Sequence, residues 1–311
     1  MTHTSSGNTA NDRGRCVLIT GGSKGLGFAA ATRFAQRGFC VVLTSRSAAT
    51  AEVAAKNIRR HVPGAIVSGM ALDLASLADV RAFAARFLSE VPALHILIAN
   101  AAQIPTTQTP QHTTQGIEKT LGANHLGHFL LVQLLLPCLS MGVQDGGEAR
   151  IVVVSSRLHQ PNSLGPKVHF DFNDLQMQQA YHPMRAYKNS KLANLWFTYE
   201  LDRQLADSKI TVNALCPGFV PATAVAKSHG VERFLYSRVL TWLPFAHTLE
   251  SAVDTYEFVA TTPALKGISG RFYAEQQAIA SSYESYSRAK AALLWIVSEQ
   301  LTSSHSTIGH M

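Results

Sequence analysis

Apolar positions in this chain fall into short continuous runs separated by longer stretches with helical spacing. Cys16 to Ile19 is the first run, and Phe28 to Arg37, closed by Gly38, is the first helical stretch. The alternation continues with strands predicted over Cys40 to Thr44, Ile66 to Leu72, Leu94 to Ala99, Arg150 to Val154 and Ile210 to Leu215. Helices are predicted over Glu52 to Arg60, Ser76 to Glu90, Ile117 to Leu139 and from Tyr187 to about Ala206. Parallel strands need crossovers of helical length, so the pattern predicts an α/β fold: a doubly wound parallel sheet flanked by helices. Ligands are then expected beyond the carboxyl ends of the strands. Thr248 to Thr261 and Ser281 to Leu301 read as further helices, and Gly270 to Ala274 as a last strand.

Strand ends carry the candidate chemistry. The first strand runs into Thr20-Gly21-Gly22-Ser23-Lys24-Gly25-Leu26-Gly27. Its glycines allow a tight turn close to a ligand, and the following helix N-terminus offers N–H groups to phosphate oxygens. The spacing G-x-x-x-G-x-G differs from the common G-x-G-x-x-G fingerprint. After the second strand, Ser45-Arg46-Ser47 holds no carboxylate for a ribose 2′-hydroxyl. Arg46 with Lys24 suits a 2′-phosphate, favouring NADP over NAD, unless Arg46 is a solvated loop charge. Asp73-Leu74 ends the third strand, where the carboxylate either meets an adenine amino group or caps the next helix. The fourth strand ends in Asn100-Ala101-Ala102, the fifth in Ser155-Ser156 and the sixth in Cys216-Pro217-Gly218-Phe219-Val220.

Tyr187 and Lys191 stand four apart on one helix face. An ammonium beside a phenol favours the phenolate, bringing a group of reference pKa about 10 into use near neutrality. Ordinary helix packing yields the same spacing. The irregular stretch Leu158 to Arg185, broken by Pro161, Gly165, Pro166 and Pro183, reads as part of a substrate wall. Pro221 to Leu249, with Phe234, Tyr236, Trp242 and Phe245, is either an apolar lid or a core-packing helix pair. His125 and His128 lack further ligands at sensible spacing, so no metal site is expected.

Composition narrows the class. With 311 residues, 46% hydrophobic and 15% charged, the chain suits a single domain over 15–303 between polar tails at 1–14 and 304–311. The net charge of +7 is concentrated in no Lys/Arg run, which argues against nucleic acid and leaves a phosphate-bearing ligand. Cys16, Cys40, Cys138 and Cys216 form no C-x-x-C pair and read as buried thiols in a reducing, cytoplasmic compartment. The leading tail has no apolar core of a signal peptide, and the run Phe129 to Leu139, interrupted by Gln133 and Pro137, is shorter than a membrane span. The apolar run Ala291 to Val297 suits either a homo-oligomer interface or the monomer's own core.

Taken in order, Thr20-Gly-x-x-x-Gly-x-Gly27, Asn100-Ala101-Ala102, Asn124, Ser156, Tyr187-x-x-x-Lys191 and Pro217-Gly218 resemble the short-chain dehydrogenase/reductase family over roughly residues 15–303. Asn124-His-Leu-Gly-His-Phe129, Ser190-Lys-Leu-Ala-Asn194, Gly270-Arg-Phe-Tyr273 and the long gap from Ser156 to Tyr187 look more like its retinol dehydrogenase branch and soluble microbial relatives. The resemblance implies a Rossmann-type sheet and a Ser-Tyr-Lys-Asn mechanism. In it, Tyr187 gives a proton to the substrate carbonyl oxygen as hydride arrives from NADPH, and Lys191 lowers the tyrosine pKa and bonds the nicotinamide ribose. Ser156, with Ser155 as the neighbouring alternative, bonds the reacting oxygen, and Asn124 positions a water leading from Lys191 to solvent. The cofactor contacts it implies are Gly21, Ser23, Lys24, Gly25, Leu26, Gly27, Arg46, Asp73, Leu74, Asn100, Ala101, Tyr187, Lys191, Pro217, Gly218, Val220 and Thr223. Two departures stand out: Ala102 replaces a usual glycine, and Thr223 comes one place late behind Ala222. The implied function is an NADP(H)-dependent carbonyl reductase or alcohol dehydrogenase for a medium-sized lipophilic substrate. The alternatives are a catalytically idle NADP(H) sensor or scaffold, and an epimerase or dehydratase on the same fold.

Overall fold

The computed structural model describes residues 12–220 and 248–303. Strands β1 (Cys16–Ile19), β2 (Cys40–Ser45), β3 (Val67–Ala71), β4 (Ile96–Ala99), β5 (Ala149–Val154), β6 (Ile210–Cys216) and β7 (Phe272–Ala274) pair in parallel. Strand β8 (Gln277–Ile279) returns antiparallel at the edge. The sheet order is β3-β2-β1-β4-β5-β6-β7-β8. Strand order therefore reverses between β1 and β4, which opens a crevice at their carboxyl ends.

Period-two alternation sends the strands' side chains to two cores. Val17, Ile19, Ile96 and Ile98 face one side, covered by α1 (Gly25–Gln36), α2 (Ala48–His61) and α6 (Leu249–Thr261). Leu18, Leu97, Ile151 and Val153 face the other, covered by α3 (Leu77–Glu90), α4 (Lys119–Gly146) and α5 (Pro183–Gln204). The terminal helix α7 (Arg288–Thr302) adds a further layer on this second side, burying Ala291 and Leu294.

Several boundaries differ from the expectation for physical reasons. α5 begins at Pro183 rather than after it: proline at the first turn forfeits no helical hydrogen bond, and His182 caps the turn by accepting from Met184 N at 3.1 Å. Pro137 sits inside α4 without ending it, and the helix runs to Gly146 with Gly147 at φ +79° beyond it. By length and composition Lys119–Gly146 is long and apolar enough to cross a membrane, contrary to the expected shortfall; 61% of its apolar window is buried against the fold. Strand β8 leaves no signal in the sequence because it is three residues long and largely exposed, entered through Glu275 and Gln276 at positive φ. The last helical stretch is two elements, a 3-10 turn over Tyr283–Tyr286 and then α7 capped by Ser287.

Candidate active site

The glycine turn is held against the end of β4. Thr20 Oγ1 accepts the N–H groups of Asn100 and Ala101, both at 2.9 Å, and Asn100 Nδ2 donates back to Thr20 O at 2.7 Å. Tyr256 of α6 donates its hydroxyl to Asn100 Oδ1 at 2.9 Å, so a helix from the far core also grips this residue. At Gly27 a Cβ would lie 2.4 Å from Gly21 O and 2.6 Å from Asn100 Nδ2, so only glycine fits the close approach. Gly21 adopts φ +64°. No side chain caps the N-terminus of α1 and no carboxylate stands in its first turn, which leaves N–H groups facing out for an anion.

Lys24 and Arg46 are exposed nearby, and among the described residues neither makes an ion pair. Leu74 is buried. Asp73 does not cap α3; Ser76 does, accepting from Asp79 N at 3.2 Å, while Asp73 Oδ1 accepts from Ala75 N at 3.0 Å in a local turn. The capping alternative for Asp73 is thereby excluded.

On the opposite wall, Asn124 occupies a π-helical turn, Gly122–Leu126, within α4. Its Oδ1 accepts from Gln103 N at 2.8 Å, and its Nδ2 donates to Gln103 O and to Ser190 Oγ, each at 3.0 Å. Ser190 lies on α5 between Tyr187 and Lys191, so this bond ties the two helices together at the site. Lys191 Nζ donates to Val154 O at 2.8 Å, at the end of β5, and stands 5.6 Å from the Tyr187 ring centroid. The next two residues divide their work. Ser155 is buried and donates to Lys191 O at 2.8 Å, whereas Ser156 is half-buried and accepts from Leu158 N at 3.2 Å, which leaves its O–H to give.

Burial pushes the Tyr187 phenol well above its usual value, with the Cys216 thiol acting in the same direction. Lys191, bound at Val154 O, is the positive charge on this helix face that would oppose the shift. Cys216 ends β6 and accepts from Arg157 N at 3.3 Å and Gly218 N at 3.4 Å, drawing the ends of β5 and β6 together. Gly218 takes φ +78°, and Val220 is buried. Thr223 and the expected lid-or-core segment lie outside the described residues, apart from Thr248 and Leu249 at the end of the latter.

Lys188 and Asn189, neither anticipated, pin the irregular stretch before α5. Lys188 Nζ is fully buried and donates to Ser163 Oγ and Pro166 O, each at 2.9 Å. Asn189 makes a two-way pair with the His169 backbone, at 3.1 and 2.6 Å. A signal was present, since Lys188 falls in the apolar stripe with Leu192 and Leu195. A cavity of about 90 Å³ between this stretch and α5 is walled by Glu118, Phe170, Arg185 and Ser190. Tyr187, Ser156 and the glycine turn are not in its wall. His125 Nε2 meets Ser298 Oγ at 2.9 Å and His128 Nε2 meets Thr20 Oγ1 at 2.8 Å, whereas His125 Nδ1 is buried with no hydrogen-bond partner among the described residues.

Residues 15–165 match the family described as short chain dehydrogenase. Human retinol dehydrogenase 14 is 37% identical over 303 residues, covering 92% of this chain and 85% of the relative. Human polyprenol dehydrogenase is 33% identical over 290 residues, covering 93% and 85%. Among solved structures, an uncharacterized protein from Mycobacterium paratuberculosis superposes with a TM-score of 0.70 at 31% identity, covering 94% of this chain and 96% of that one.

Proposed function

The chain belongs to the short-chain dehydrogenase/reductase family, and from that premise we propose that it is an NADP(H)-dependent oxidoreductase interconverting a carbonyl and an alcohol on a medium-sized apolar substrate. The observation that carries the reading is the junction of α4 and α5. There Asn124 binds Ser190, and Lys191 binds the end of β5 beside Ser156, on the sheet edge that also holds the glycine turn.

The residues fit a dinucleotide. The uncapped first turn of α1, with Gly21, Ser23, Gly25, Leu26 and Gly27, would receive the diphosphate, and Lys24 and Arg46 the 2′-phosphate. Asp73 and Leu74 would flank the adenine, while Asn100, Ala101, Pro217, Gly218 and Val220 would line the nicotinamide side. When bound, the nicotinamide exchanges hydride with the substrate carbon. Tyr187 holds the proton that passes to the substrate oxygen in reduction, and the Lys191 ammonium offsets the phenolate charge left behind. Ser156 offers its O–H to the same oxygen. Asn124 holds the turn through its amide bonds to Gln103 and Ser190, and from there would position a water leading from Lys191 to solvent. An apolar substrate is supported by the relatives, two of which are named as dehydrogenases of retinol and polyprenol.

The test is NADPH oxidation against a panel of aliphatic, aromatic, steroid and long-chain isoprenoid aldehydes and ketones, with NADH in parallel. Turnover with NADPH preferred is the expected result. Tyr187→Phe should lower kcat by at least about 10²-fold, the scale of general acid catalysis, while NADPH binding stays within a few-fold. Full activity in that variant would remove the mechanism. Arg46→Ala should weaken NADPH by about tenfold or more, as for loss of a charge-assisted hydrogen bond, and leave NADH nearly unchanged. Equal losses would move the 2′-phosphate elsewhere.

A further inference from the structure

His128 lies one turn beyond Asn124 on α4, is 2% exposed, and has no part in the chemistry above. Both of its ring nitrogens are engaged. Nδ1 lies 3.2 Å from the Asn124 carbonyl oxygen and Nε2 lies 2.8 Å from Thr20 Oγ1. A carbonyl only accepts, so Nδ1 carries the proton. Burial, with the Lys191 charge adding to it, pushes the ring down to about 4, so it is neutral at pH 7. Nε2 is then a bare acceptor and, at 2.8 Å, takes the Thr20 hydroxyl proton in preference to the Ile98 carbonyl oxygen, which lies 3.4 Å from the same hydroxyl. That hydroxyl oxygen in turn accepts the N–H groups of Asn100 and Ala101. A single directed path of hydrogen bonds thus joins the end of β1, the end of β4 and the turn that carries Asn124.

We propose that His128 is a positioning residue with two separable ends. Its Nδ1–H sets the Asn124 turn, and through Asn124 the Ser190 and Lys191 segment of α5; its Nε2 sets Thr20 and with it the backbone amides at the cofactor edge. The inference rests on the reading of the site given above and adds to it a coupling between the proton-handling wall and the cofactor wall. A histidine serves because the two bonds need a donor and an acceptor held rigidly on opposite sides of one ring, which an aliphatic side chain of like volume cannot supply.

The two ends can be tested apart. In His128→Asn the amide nitrogen stands where Nδ1 stood, and in His128→Gln the amide oxygen can reach Thr20 as Nε2 does. His128→Asn should keep kcat within about threefold and weaken NADPH about tenfold, the scale of one buried hydrogen bond. His128→Gln should show the reverse, with NADPH affinity kept within about threefold and kcat lowered about tenfold. Loss of both quantities in equal proportion in the two variants, or loss of neither, overturns the proposal. Thr20→Val deletes the hydroxyl alone and keeps the histidine should the ring replacements fail to fold. It should reproduce the His128→Asn pattern, and a fall in kcat with NADPH affinity unchanged overturns the proposal. Tyr187→Phe, measured alongside, bears on the reading of the site alone, so failure of that reading is distinguishable from failure of the coupling.

Discussion

His125 and His128 are 1% and 2% exposed, and burial pushes them down to about 3 and about 4. In the unfolded chain each binds a proton near pH 6.5, whereas the folded protein keeps both neutral until well below that. The unfolded state therefore binds more protons between about pH 6.5 and 4, and stability falls as pH drops through that window. Each site contributes about 1.4 kcal/mol per pH unit there, so the pair should cost about 3 kcal/mol between pH 7.5 and 5.5. Burial lowers His95 and His159 as well, adding in the same direction. Urea unfolding at the two pH values checks this, and equal free energies would contradict neutral burial. The spacing of the two histidines was plain in the sequence; their partners were not. Thr20 and Ser298 are 108 and 173 residues away from the rings they bind, and no local pattern encodes such a pairing. The same desolvation acts with opposite sign on Tyr187, where it favours the protonated phenol over the phenolate that a neighbouring lysine suggests.

α5 does two jobs at the scale of an element, presenting Tyr187 and Lys191 to the crevice and anchoring the irregular stretch before it. The strand-and-turn skeleton was legible because buried parallel strands leave unbroken apolar runs, and Ser156, Tyr187 and Lys191 sit at the ends and faces those runs imply. The anchoring was not legible, since periodicity places Lys188 on a face but cannot say that Ser163 and Pro166 wait there to receive it. Lys188→Met keeps the apolar stem and removes the donors, leaving the Pro166 carbonyl without that partner. The stretch should then loosen as a substrate wall. KM for the carbonyl substrate should rise about tenfold, equivalent to one to two lost hydrogen bonds, while NADPH affinity stays put. Limited proteolysis should cut within residues 160–168 faster than in the parent. Unchanged KM together with unchanged cleavage would show that this stretch needs no support from α5.

For the whole molecule, the reversal of strand order between β1 and β4 brings a cofactor half and a proton-handling half to one edge, and α7 braces the second half from outside. The run Ala291 to Val297 left open whether this helix served a partner or the chain itself; the fold turns part of it inward. Trp295 meets Phe129 edge-on with ring centroids 5.0 Å apart and lies near-parallel to Phe197 at 6.2 Å, and Ser298 receives His125. Its outer face keeps Leu293 and Ile296 exposed, at 43% and 51%. The braced residues neighbour the working ones, for His125 follows Asn124 and Phe197 lies under two turns beyond Lys191 on α5. Trp295→Ala should thus act on two levels at once. Loss of the half-buried ring should cost about 3 kcal/mol of stability, at the lower end for truncating a large aromatic. Freed from that side, the α4 turn should let kcat fall while NADPH affinity holds, because the glycine turn and α1 lie in the other core. Thermal unfolding read beside kcat and NADPH affinity decides it. A destabilised enzyme with full kcat would make α7 a cover alone, and equal losses of kcat and NADPH affinity would mean that the brace serves the whole sheet.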